Sequence, residues 1–93
     1  MAAALVFLFA LHLSAQEKFR IVGTVVKVQA TQVDVKAADG QIYEIDMDAK
    51  TRVTQNKKTV ARLELKAGRS VVVDALGHDM FDLVAMEIQV GKK

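Results

Sequence analysis

The chain has 93 residues, a formal net charge of +2, and neither cysteine nor proline. That length allows one domain, and without cysteine there is no disulfide and no thiolate metal centre. A domain this small and unstapled must hold itself with a continuous apolar core and a hydrogen-bond ladder.

Residues 1–16 carry no Asp, Glu, Lys or Arg and run apolar from Ala2 to Leu13 before Ser14-Ala15-Gln16. A short apolar core closed by small residues is the pattern of a secretory signal. The expectation is therefore a signal peptide over residues 1–15 and an exported mature domain over 16–93, periplasmic or extracellular. An uncleaved membrane anchor is the alternative.

The mature chain reads as strands and turns. Residues 19–28 are rich in β-branched side chains, with apolar positions on both alternating sets and Gly23 where the pattern shifts. Val33 and Val35 alternate cleanly within residues 32–36, and Asp39-Gly40 supplies a hairpin turn. Tyr43, Ile45 and Met47 then point one way and Glu44 and Asp46 the other. Residues 51–54 and 59–60 read as short strands about a turn at 56–58. Leu63 and Leu65 are expected to plug one end of the fold from a single helical turn. Val71, Val73 and Ala75 share a face of the next strand, residues 77–80 turn, and 83–90 finish the sheet. This pattern predicts an all-β fold, specifically a small closed antiparallel β-barrel of OB-like type with five to six strands.

Gly23-Thr-Val-Val-Lys-Val28, Val33-Asp-Val-Lys36, Asp39-Gly40, Thr51, residues 65–73 and Ala85-Met-Glu-Ile88 occur in that order. Together they resemble the bacterial exported domain of unknown function 5666. That resemblance implies export and an OB-like barrel, and brings no catalytic residues. More distantly, the opening strand and the Leu65-Lys-Ala-Gly turn are similar to the periplasmic copper and silver chaperones of OB-barrel type. Those use a Trp and two Met; this chain has no Trp, and its comparable region holds only Met47.

Two candidate sites emerge. Residues 50–69 hold seven basic side chains against Glu64 alone, and Lys57, Lys58 and Arg62 are the expected contacts to an anionic polymer or envelope protein. His78, Met80 and Met86 form a soft set suited to a copper or silver ion, Cu(I) or Ag(I). Glu44, Asp46 and Asp48 form an acidic row on an outward face. Ser70 is the only serine after residue 16 and is separated from His78 by the length of a strand, so catalysis is not expected. The aromatics Phe19, Tyr43 and Phe81 are too few to serve both a core and a stacking surface, so nucleic acid is not expected either. The sequence thus reads as an exported, monomeric binding module of the cell envelope needing no cofactor, with periplasmic Cu(I)/Ag(I) handling as the alternative.

Overall fold

The alternating segments become seven strands in the computed structural model, which describes residues 16–91. They are β1 (Glu17–Gln29), β2 (Gln32–Ala37), β3 (Ile42–Asp46), β4 (Arg52–Gln55), β5 (Lys58–Thr59), β6 (Ser70–Gly77) and β7 (Leu83–Val90), with a 3₁₀ turn at Arg62–Glu64. All lie in one sheet of order β3-β2-β1-β6-β7-β4-β5, and β3 also pairs with β7. The expected signal segment lies outside the described residues.

The core is the inward face of this sheet. Val25, Val33, Val35, Ile45, Val73, Leu83 and Ile88 are all buried, and Phe19, Tyr43, Val60 and Met80 pack against them. Each fully buried aliphatic side chain stabilises by roughly 1.5–3 kcal/mol over its exposed state. Leu65 joins this core, whereas Leu63 is 79% exposed, so only one of the two leucines seals the fold. A 3₁₀ turn of three residues cannot aim side chains two apart in the same direction.

A β-bulge accounts for the second half of the first strand's double pattern, while Val22 before it simply faces outward. Val25 pairs with Val35 and Lys27 with Asp34, leaving Val26 as the extra residue. Gly23, where the sequence pattern shifts, has another role: a Cβ there would collide with the carbonyl oxygen of Lys36. Gly40 takes φ 85° at the expected hairpin turn, where Gln41 N–H also donates to Asp39 Oδ1 at 2.8 Å.

The expected closed antiparallel barrel of five or six strands does not form. The sheet has seven strands and is mixed: β3 and β4 both run parallel to β7. Asp46 pairs with Val84 and Arg52 with Glu87, so β3 and β4 follow one another along the same edge of β7. The turn between them is bound in place. Thr51 Oγ1 donates to Ala85 O at 2.7 Å, filling the gap in the ladder, and Asp48 N–H donates to Thr51 Oγ1 at 3.0 Å. Alternation shows where strands lie but is silent about which neighbour a non-hairpin strand takes.

Candidate anion-binding groove

The outward face of the sheet is built from cross-strand rows. Val22, Val72, Gln89, Thr54 and Thr59 are successive partners across β1, β6, β7, β4 and β5. Alternation places them all opposite the core. Val22 is 60% exposed on this face, which a strand interior tolerates but does not require. Around it lies a groove of about 880 Å³, within the size range of sites that take organic ligands.

Two hairpins flank the groove. On one side the end of β2 contributes Lys36, Ala37 and Ala38; on the other the β4–β5 hairpin contributes Asn56, Lys57 and Thr59. The second hairpin is a two-residue turn with Asn56 at φ 52° and Lys57 at φ 67°. Both values are left-handed, as a hairpin of this kind demands, and the favoured occupant of the second position is glycine. A lysine there costs backbone energy, yet it sets a cation on the groove's flank.

A row of four charges runs from the end of the groove, lined by Arg52 and Glu87, to a second depression beside it. Arg20 pairs with Asp74, Asp74 with Glu87, and Glu87 with Arg52, on β1, β6, β7 and β4. The outer arginines neutralise two adjacent carboxylates that would otherwise repel. Arg20 grips Asp74 twice, Nε to Oδ1 at 2.8 Å and Nη2 to Oδ2 at 3.4 Å. That hydrogen bond, with the Asp74 charge behind it, raises the Arg20 pKa. The other pair is looser: Arg52 Nη2 lies 3.6 Å from Glu87 Oε1. Thr54 Oγ1 meanwhile donates to Glu87 Oε2 at 2.8 Å.

The structure distributes the basic residues expected to act together. Lys57 lines the groove, whereas Arg62 lines a separate depression beside Val28, Met47 and Leu65. Its guanidinium donates to the carbonyls of Thr51 (3.2 Å) and Asp48, bracing the β3–β4 turn. Lys58 is exposed on β5 and lines neither cavity. Arg69 is buried: Nη2 donates to Gly91 O at 2.7 Å, Nη1 stands 4.0 Å from Glu64, and Nε has no partner among the described residues. The groove instead recruits Lys36 and Arg52, which the sequence did not single out. Their convergence depends on strand register, for which no local motif exists.

His78 is exposed in the β6–β7 turn, and Met80 packs partly buried against the core. Met86 is the extra residue of a second bulge, since Asp74 pairs with Glu87 and Ala75 with Ala85. It opens onto a depression shared with Phe19, Leu76 and Arg52, to which neither His78 nor Met80 contributes. Glu44, Asp46 and Asp48 are exposed. Among the described residues, no three His, Cys, Asp or Glu side chains gather within metal-binding reach, and no helix is long and apolar enough to cross a membrane. Compared with family models, curated proteins and solved structures, the chain finds no match.

Proposed function

We propose that this domain is a binding module for an anionic polymer, exported to the cell envelope, and that the groove between the two hairpins is its site. The observation that carries the reading is Lys57, a lysine held in a left-handed turn at the flank opposite Lys36. Unfavourable backbone geometry retained at a cavity rim is a mark of functional use. The apolar Ala2–Leu13 run and the small residues after it support export. Glu87, the acidic side chain of the groove, is already paired with Arg52, so Lys36 and Lys57 set the sign of the field an approaching ligand meets.

The test is a titration with a polyanion at 20 and 200 mM NaCl, comparing the natural chain with a Lys36→Gln/Lys57→Gln variant. Saturable binding is expected at low salt, weakened by about tenfold in the variant and reduced at the higher salt as the Debye length shrinks. Binding unchanged in the variant, or no saturation at low salt, would overturn the proposal.

A further inference from the structure

The chemistry lining the groove narrows the ligand, and we infer that it is an acidic glycan, a chain of uronate-bearing sugars whose carboxylate takes Arg52 away from Glu87. This rests on the anionic-polymer reading above and goes beyond it in naming the chain and the contact.

Three features select a glycan. The groove floor is the outward face of β6 and β7, which are paired along both edges, so their backbone N–H and C=O groups are consumed by the ladders. An acidic peptide lying across that floor could not add to it as a strand, because that mode needs an open edge. No aromatic ring stands among the described residues lining the groove, which removes the stacking platform that single-stranded nucleic acid uses. What the groove does offer is hydroxyls and amides from Thr24, Ser70, Thr59, Asn56 and Gln89. Those groups donate and accept alike, as the hydroxyls of a sugar chain require. The cations stand apart on β2, the β4–β5 turn and β4, suiting carboxylates spaced along a chain.

Arg52 is the releasable cation. Its side chain is 64% exposed and its ion pair with Glu87 is long at 3.6 Å. Glu87 keeps the 2.8 Å hydrogen bond from Thr54 when Arg52 leaves, so its carboxylate retains one donor. Arg20, fastened to Asp74 through two nitrogens, is not free to follow. Arg52 also lines the second depression, beyond the charge row. A chain longer than the groove would therefore pass this arginine as it continues across the sheet. The guanidinium fork matches a carboxylate bidentately, which a lysine could not do.

The experiment is calorimetric titration of the full chain with an oligogalacturonate, its carboxyl-reduced neutral counterpart, polyglutamate of equal charge and oligothymidylate. Glu87→Gln removes the competitor for Arg52 while leaving Thr54 an acceptor, so oligogalacturonate binding should tighten by about threefold. Arg52→Gln should weaken it by about tenfold, with Arg52→Lys between. Thermal melts establish that each variant is folded. A merely structural role for Glu87 would instead weaken binding on substitution. Unchanged or weaker binding in folded Glu87→Gln overturns the release of Arg52. Equal or tighter binding of polyglutamate or oligothymidylate overturns the glycan and leaves the anionic groove standing. Failure of every anion to bind the natural chain overturns both.

Discussion

Lys57 is where the interests of folding and binding part company at a single residue. Its φ of 67° belongs to the region where a Cβ crowds the following carbonyl, a cost of roughly 1–2 kcal/mol that glycine escapes. Part of that gain is returned because glycine loosens the unfolded chain. Lys57→Gly is therefore expected to stabilise the domain by roughly 0.5–1 kcal/mol while weakening anion binding. Urea unfolding beside a binding titration reads both, and a loss of stability would show that the lysine side chain itself holds the hairpin. Arg20 behaves differently. Its raised pKa means that arginine titration leaves the pair with Asp74 intact below the ordinary arginine range. The arginine's charge is lost only as pH rises through the raised value. A melt followed between pH 6 and 9 should thus be blind to arginine titration at this pair.

At the scale of elements, the β4–β5 hairpin is placed by β7 and by the turn that precedes it. Thr51 holds that turn by donating to Ala85 O and accepting from Asp48 N–H. Thr51→Val keeps the shape but strands a buried carbonyl, and should cost about 1–3 kcal/mol in urea unfolding. Because Arg52 follows directly, anion affinity should fall with it; unaltered stability would show that Arg62 and the turn's own hydrogen bonds to Asp48 suffice. The same region marks the limit of what the sequence discloses. Alternation located β2, β3, β6 and β7, with Val33, Val35, Val71 and Val73 buried as expected, because burial on one face leaves a period of two in the chain. The Asp39-Gly40 turn was equally legible, since its φ demands a particular residue. The parallel pairing of β3 and β4 with β7 was not, for it joins residues far apart in the chain with no turn to announce them. The groove inherits that opacity. Lys57 and Arg52 both lay within a visible basic stretch, but their meeting with Lys36 and Glu87 comes only through register. Arg62 and Arg69, from the same basic stretch, are drawn instead into bracing carbonyls.

On the scale of the whole molecule, β7 has three neighbours: β6 along one edge, and β3 and then β4 along the other. It is also the last strand in chain order. Until residues 83–90 exist, β3 has no partner but β2, β4 only the two-residue β5, and β6 only β1. The core cannot close early, because Leu83, Ala85, Ile88 and Val90 are part of it. A chain shortened to end before Leu83 should accordingly give the circular dichroism of an unfolded polypeptide, and a cooperative melt from it would refute this. Assembly of the complete chain must wait on contacts distant in sequence, which places it among slow folders, on the order of milliseconds to seconds. The sheet is locked by the one strand that pairs with three others, so whatever holds β7 away keeps the rest of the chain pliable.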